Sequence, residues 1–329
     1  MLGETYLSRD YTNQLRGLFA VMIIYSHLAL EVESSGVFSL FSELGNYDVG
    51  IFFFLSGYGL LVQYQKKGRD YLKGFLWHRV IVSLVIPYLI FNVIYYVAYV
   101  CLGKQTTPLD MLASWINGHP LVSNSWYIIA IFYFYLVFFV FALLSGKRLW
   151  LTTGLCFVGS LAWMVICHEM GYGDWWFYSC FTLNAGMLWV LVHERVEDWF
   201  QKQFWLKEAG ALAACIVLYF AATILPQYIG MQTLIYLGCM QLSAIMFCVF
   251  VICLGMRIRF NGRCLALLGE CSLELYLIHG LFMTIFRSDK LYLENDVLYS
   301  LAVLMAAVLA AFLSHKLIAV IKNKLVREK

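Results

Sequence analysis

The stretch Q-L-R-G-L-F-A-V-M-I-I-Y-S-H, residues 14–27, is almost entirely apolar but carries Arg16 near its start and His27 at its end. In a helix, eleven residues make three turns plus about 20°, so these two side chains share a face, about 16 Å apart along the axis. If this helix crosses a membrane, Arg16 lies at the surface and His27 near mid-depth. Ionisable groups are costly at that depth, which makes His27 a functional candidate.

The composition of the whole chain supports a membrane protein. Hydrophobic residues make up 62% of the 329 residues, charged residues only 13%, and the mean hydropathy is +0.75. A soluble domain of this length cannot bury so much apolar surface. We therefore expect an all-α integral membrane protein, one domain over residues 1–329 with about ten transmembrane helices in one bundle. The apolar stretches long enough to span are 14–32, 48–65, 75–102, 125–144, 149–168, 175–193, 208–225, 232–254, 264–286 and 297–320.

The distribution of basic residues predicts the orientation. When alternate loops are assigned to the same side, 20 of the 23 Lys and Arg residues fall on one side, Arg259 and Lys329 among them. The other side carries most of the acidic loop residues, including Glu31 and Glu33. By the positive-inside rule the basic side is cytoplasmic. This predicts cytoplasmic termini and a multi-pass protein of the cell (inner, cytoplasmic) membrane.

Two long connections predict extra helices. The outer loop 103–124 is expected to fold a short helix back onto the membrane surface. The inner loop 193–208 mixes aromatic and charged residues, a composition typical of an interfacial helix. Its aromatic side chains are Trp199, Phe200, Phe204 and Trp205.

His27 allows two interpretations. A histidine within a transmembrane helix can simply bridge two helices through hydrogen bonds. It can also act as a general base or nucleophile, since imidazole titrates near neutral pH and partial burial favours its neutral form. The alignment with Arg16 favours the functional interpretation.

The ninth apolar stretch contains the other concentration of polar groups. Glu270 and Glu274 are four residues apart and share a helical face. Helical rise places Glu274 at about the depth of His27, so we consider a direct Glu274–His27 pair in which the carboxylate orients the imidazole. Alternatively, Glu274 pairs with Arg16, or Glu270 meets the basic inner loop. His279 is expected to pack against a neighbouring helix or to bind the acceptor.

The inner loops are rich in basic residues. Orientation in the membrane explains most of this charge, and the remainder is suited to a polyanionic cytosolic ligand such as a nucleotide phosphate. No glycine-rich phosphate loop, Walker motif or Rossmann fingerprint accompanies it. The densest group is Lys66, Lys67, Arg69, Lys73, His78 and Arg79.

Five motifs, taken in order, resemble the membrane-bound acyltransferase-3 family, whose members O-acetylate cell-surface polysaccharides, lipids and peptidoglycan. They are R-x10-H at Arg16 and His27, V-G-I-F-F-F-L-S-G-Y at 49–58, F-L-W-H-R-V-I-V-S-L-V-I-P-Y at 75–88, S-W-Y-I at 125–128 and L-G-E-C-S-L-E-L-Y-L-I-H at 268–279. One departure is Ser83, which stands near the place where the third motif often carries a second basic residue.

The resemblance implies an O-acetyltransferase whose co-substrate is acetyl-CoA, or another acyl-CoA, with no metal. It implies His27 as the general base and Arg16 as a second catalytic residue, and the helical placement described above adds Glu274 as a third. The donor-binding residues implied are Arg16, Ser56, Lys73, Arg79, Trp126 and Tyr276. An acyl-histidine intermediate and direct transfer both remain open.

The expected partners are acyl-CoA, the lipid bilayer and a glycan or lipid-linked acceptor, as in polysaccharide modification. We expect no nucleic-acid partner, and a homo-oligomer remains open. The principal alternative from another class is a multi-span secondary transporter, for which a mid-membrane histidine is ordinary. A non-catalytic, ligand-sensing protein of the same fold is a third interpretation.

Overall fold

The computed structural model describes residues 6–32, 42–116, 118–229, 234–258 and 262–327. Glu33, Arg259 and Lys329, which entered the charge distribution above, lie outside these ranges. The described residues contain 13 α-helices, so the expected all-α class is confirmed. The helices are α1 Arg9–Glu31, α2 Gly45–Lys67, α3 Arg69–Lys73, α4 Ile86–Cys101, α5 Pro108–Ile116, α6 Trp126–Ser145, α7 Leu149–Glu169, α8 Phe181–Gln201, α9 Phe204–Ile229, α10 Leu234–Leu254, α11 Arg263–Glu270, α12 Ser272–Phe286 and α13 Asp296–Arg327.

Three shorter elements complete the described chain. A π-helical stretch, Leu76–Val85, leads directly into α4, a 3-10 turn spans Asp174–Trp176, and a hairpin pairs β1 Arg287–Ser288 with β2 Leu291–Tyr292. The π-helix ends beside Pro87, which has no N–H to donate to the carbonyl of Ser83. The hydrogen bond that an α-helix would form between these two residues is therefore missing, and the wider π-helix lies just before Pro87.

Seven helical segments of the described chain are long and apolar enough to cross a membrane. The pair α11 and α12, which is bent by 78°, makes an eighth if it counts as one span. The protein is therefore a multi-pass membrane protein. The seven segments are Leu76–Cys101, Trp126–Ser145, Leu149–Glu169, Asp174–Gln201, Phe204–Leu225, Ile235–Leu254 and Asp296–Val326.

The first two predicted spans form helices α1 and α2, each of 23 residues, which is long enough to cross. These two helices are not among the seven apolar segments because polar side chains interrupt them. Such side chains include Arg16 and His27 in α1, and Asp48 and Ser56 in α2. The count of ten membrane-crossing helices stays a prediction.

The two loop predictions have different outcomes. The outer loop contains the short helix α5, as expected, while its placement on the membrane surface stays a prediction. The inner loop does not form a separate interfacial helix: α8 continues to Gln201, and α9 begins at Phe204 after a turn of two residues. Gln203 adopts a φ of 58°, a left-handed conformation that reverses the chain in very few residues.

The chain forms two compact units, and each is described by itself below. The first unit comprises Met1–Leu15, Asn46–Tyr71 and Val140–Gly262, and the second comprises Arg16–Gly45, Leu72–Phe139 and Arg263–Lys329. The expectation of one domain over the whole chain stays a prediction. Ser56 belongs to the first unit, whereas all other predicted site residues belong to the second.

In the first unit, glycines let α2 and α8 touch backbone to backbone. A side chain at Gly57 would collide with the carbonyl of Leu183, and one at Gly186 would collide with the carbonyl of Phe54. Thr182 strengthens the crossing by donating a hydrogen bond to the carbonyl of Gly50 at 2.8 Å. In a bilayer, such close backbone packing is a main source of helix association.

We predict that Gly57→Val destabilises the protein, because the added methyl groups must push α8 away from α2. Overpacking of this kind costs about 1–3 kcal/mol. Gly59→Val is the matched control on the same helix, since nothing lies within 4 Å of a Cβ placed there. The measurement is the thermal midpoint of each variant in detergent. Equal midpoints for the two variants would contradict the observed crossing.

Candidate active site

Two histidines meet inside the second unit. His27, on α1, places its Nδ1 2.7 Å from the Nε2 of His279 on α12. The rings are nearly coplanar, with 7° between their planes and 5.0 Å between their centroids. His279 is fully buried, whereas His27 is half-buried. The sequence singled out His27 but did not identify its partner, and the mid-membrane depth of His27 stays a prediction.

The hydrogen bonds of His279 determine which nitrogens carry protons. Its Nδ1 lies 3.3 Å from the carbonyl oxygen of Leu275, which can only accept, so this Nδ1 must donate. In the neutral ring, Nε2 then carries a lone pair and accepts from the Nδ1–H of His27. The same argument leaves the lone pair of His27 on Nε2. This pair therefore holds His27 in the tautomer that a general base needs.

A chain of aromatic contacts begins at His279. The ring of Tyr276, one turn before His279 on α12, lies 6.0 Å from the imidazole of His279. It also packs edge-on against Tyr127 at 5.8 Å, and its hydroxyl donates to the carbonyl of Asn124. Trp126, at the first position of α6, is buried beside Tyr127. The structure thus brings the S-W-Y-I segment and the Y-L-I-H segment together.

A close helix contact fixes the depth of α12. A Cβ at Gly280 would lie 2.8 Å from the side chain of Ser123 and 3.2 Å from the hydroxyl of Tyr95. The absence of a side chain at Gly280 therefore allows α12 to approach α4 and the start of α6. Nearby, the hydroxyls of Tyr88 and Ser125 lie 3.0 Å apart. These contacts position the residue next to Gly280, His279.

The proposed Glu274–His27 pair is wrong. Glu274 Oε1 lies 3.2 Å from the Nδ1 of His315 on α13, and the carboxylate is almost fully buried, at 2% exposure. The reason is angular: five residues separate Glu274 from His279, which rotates the two side chains about 140° apart on α12. His279 therefore points toward α1, while Glu274 points toward α13. The orienting partner of His27 is an imidazole and not a carboxylate.

The predicted donor-binding residues of the second unit occupy several elements. Arg79, in the π-helical stretch, donates to the hydroxyl of Tyr135 at 3.0 Å and covers its ring at 5.3 Å. Lys322, on α13, interacts electrostatically with both Arg79 and Glu274. Lys73 ends α3 and is exposed. Lys322 thus lies near a basic residue of the third motif and near the carboxylate of Glu274.

The remaining predicted residues are Arg16, Ser56 and Ser83. Arg16 is half-buried on α1, beside Gly17, whose Cα faces the backbone of α11. Ser56 is buried within α2 of the first unit. Ser83 donates to the carbonyl of His78 at 2.7 Å, and this bond stabilises the π-helical stretch.

A cluster of charged and aromatic residues lies in the second unit where α1 ends and α13 begins. Tyr299 donates to Glu31, one turn beyond His27 on α1, at 2.5 Å, and Arg287 bonds Asp296 at 2.5 Å. The guanidinium of Arg287 also covers the ring of Tyr299 at 4.4 Å. Partial desolvation lowers the pKa of Arg287 and the hydrogen bond to Asp296 raises it, with a net increase. This cation is therefore fully charged.

Comparison with known protein families identifies the family of this chain. A family model described as an acyltransferase domain matches residues 9–316, nearly the whole chain. The chain belongs to the acyltransferase-3 family. It is a membrane acyltransferase, as the order of its motifs indicated. No curated protein and no solved structure matches it.

The sequence did not predict the positions that two residues of this acyltransferase occupy, His279 beside His27 and Lys322 near Arg79. His279 was expected to pack or to bind the acceptor. The contact that sets its tautomer is made to the carbonyl four residues earlier in the same helix, which any helix offers, so this contact leaves no mark in the sequence. Lys322 was counted among the basic residues that set orientation. Among the described residues, no three His, Cys, Asp or Glu side chains gather as a metal site requires. The prediction that no metal takes part remains a prediction.

We predict that His279→Leu slows acyl transfer by at least about tenfold, because His27 loses the acceptor that holds its Nδ1–H. His279→Gln should restore part of the rate, since its amide oxygen can accept in place of Nε2. Glu274→Gln keeps a hydrogen bond to His315 and should change the rate by less than about tenfold. Initial rates across pH compare the three variants. A Leu variant as active as the Gln variant would contradict the positioning role of His279.

Proposed function

We propose that this acyltransferase moves an acyl group, acetyl by preference, from cytosolic acyl-CoA to a hydroxyl of a cell-surface glycan or lipid-linked acceptor. The observation that carries the proposal is the hydrogen bond between His27 and His279, which leaves a lone pair on Nε2 of His27. A general base needs this lone pair within reach of the acceptor hydroxyl. The alignment of His27 with the basic end of α1 supports a donor that enters from the cytosol.

In the proposed reaction, Nε2 of His27 takes the proton from the acceptor hydroxyl. The hydroxyl oxygen then forms a bond to the thioester carbonyl carbon, the carbon–sulfur bond breaks, and the CoA thiolate takes the proton back from the imidazolium. His279 keeps its own Nδ1–H on the Leu275 carbonyl and stabilises the positive charge that forms on His27. The alternative of a covalent acyl-histidine uses the same Nε2 lone pair for attack on the thioester.

Basic residues of the second unit support an acyl-CoA donor. Arg79, Lys322 and Lys73 offer cations for the nucleotide phosphates, and arginine in particular suits phosphate oxygens. Arg16 lies about 16 Å from His27 along α1, a rise comparable with the pantetheine arm of CoA. Arg16 would contact the donor or steady its carbonyl. The buried ring of Tyr276 lies 6.0 Å from the imidazole of His279, and that of Trp126 joins it through Tyr127.

The predicted orientation gives the two substrates opposite entrances. The basic ends of α1 and α13 are predicted to face the cytosol, where acyl-CoA is made. Glu31 and the Arg287 cluster then lie toward the outer face, within a turn of His27 along α1. This arrangement supports transfer to an acceptor presented outside, and it supports a location in the cell membrane.

Membership of an acyltransferase family argues against the transporter alternative. The non-catalytic alternative predicts binding of acyl-CoA without thiol release when acceptor is present. Purified wild-type protein given acetyl-CoA and a cell-envelope extract should release CoA thiol. Acetyl-CoA binding without thiol release above background would favour a ligand-sensing role.

We predict that His27→Ala abolishes transfer while leaving acetyl-CoA binding nearly intact, because the base removes a proton but does not hold the nucleotide. Loss of a general base lowers rates by about 10²–10⁴-fold. Thiol release measures transfer, and the acetyl-CoA-induced thermal shift measures binding. His168→Ala, an exposed histidine of the first unit, is the control and should match the wild type. Lost binding with residual transfer would contradict the role of His27.

A further inference from the structure

An apolar groove opens in the second unit between α11, the bend that follows it, and α13. Its volume is about 570 Å³, within the range of small-molecule sites, which span about 300–1,000 Å³. Hydrophobic side chains and two cysteines form its walls. The lining residues are Cys264, Leu267, Leu268, Cys271, Leu304, Met305, Val308, Leu309 and Phe312.

The bend between α11 and α12 explains why the groove stays open. Helix α12 packs along α13, whereas α11 turns away by 78° and leaves the flank of α13 uncovered. Met305 and Leu309 are 71% and 62% exposed there. A straight helix from another protein would leave the concave part of this groove empty and lose those contacts. A flexible chain fills it better.

The charges at the margin of the groove favour an anion. The ammonium of Lys316 lies 4.3 Å from the centroid of the Phe312 ring, which closes one end. Arg263 is exposed at the start of α11, next to Cys264. The acidic groups near the groove are Glu270 and Glu274, both at the Cys271 bend, and Glu274 already pairs with His315.

We propose that this groove binds one anionic membrane phospholipid, with an acyl chain against α11 and α13 and the phosphate beside Lys316. The bilayer interior is as apolar as the groove, so the chain alone gives little preference. Preference over neighbouring lipids must then come from the headgroup charge at Lys316. The inference concerns a lipid site and does not depend on the proposed reaction.

The test uses the full-length protein in phosphatidylcholine nanodiscs that contain trace phosphatidylglycerol with a photoactivatable acyl chain. Mass spectrometry locates the labelled residues. We expect labels on α11 and on residues 304–312, removed by excess unlabelled phosphatidylglycerol but not by phosphatidylcholine. Lys316→Gln should lower labelling by the anionic probe about fivefold and leave labelling by a phosphatidylcholine probe unchanged.

A second experiment fills the groove with larger side chains. Leu309→Trp and Met305→Trp should each lower groove labelling, and both positions are exposed enough to accept the larger ring without unfolding the helix. Leu301→Trp is the control, because Leu301 is 52% exposed on the same helix but does not line the groove. Uniform labelling along the exposed face of α13, labelling that ignores headgroup charge, or a cross-linked second copy across residues 304–312 would each overturn the proposal.

Discussion

A carbonyl oxygen can only accept hydrogen bonds, and this constraint at Leu275 sets the protonation of two histidines. The Leu275 carbonyl requires a proton on Nδ1 of His279, which leaves Nε2 of His279 to accept from His27. His27 must then hold its own proton on Nδ1. The lone pair on Nε2 of His27 is thus a consequence of ordinary helix geometry at α12, passed on through one buried imidazole.

This relay works only if α1 and α12 come close together, and small residues make that approach possible. Gly17 lets α1 touch the backbone of α11, with a Cβ there only 2.8 Å from the amide nitrogen of Gly269. Gly280 lets α12 settle against Ser123 and Tyr95. Within a bilayer, where apolar side chains gain nothing by leaving lipid, such contacts and interhelical hydrogen bonds hold helices together. The same contacts hold the two imidazoles at 2.7 Å.

Much of the fold followed from the sequence, because apolar periodicity and charge asymmetry are strong signals in membrane proteins. Every predicted span overlaps a helix of the described residues, and His27 stood out because polar groups are rare within apolar spans. The Glu274 pairing failed because depth along a helix was considered without rotation about it. The turn at residues 202–203 was missed because an amphipathic pattern does not show where one helix ends and the next begins.

Other features required three-dimensional neighbours. Lys322 lies near Arg79 only because α13 packs beside the π-helical stretch, and no local pattern distinguishes it from the other basic residues of the C-terminal segment. His279 illustrates the same limit: its sequence position is ordinary, and its importance comes from the helix opposite. The motif order identified the family, while the geometry identified the partner of His27 and the hydrogen bonds that set its tautomer.

The most direct test of this account is ¹⁵N NMR of the histidine-labelled protein near neutral pH, with His27→Asn and His279→Gln variants to assign the signals. The account predicts that both rings are neutral with the proton on Nδ1, so that each shows an unprotonated Nε2. A proton on Nε2 of His27 would contradict it, because that ring could then not receive a proton from an acceptor hydroxyl.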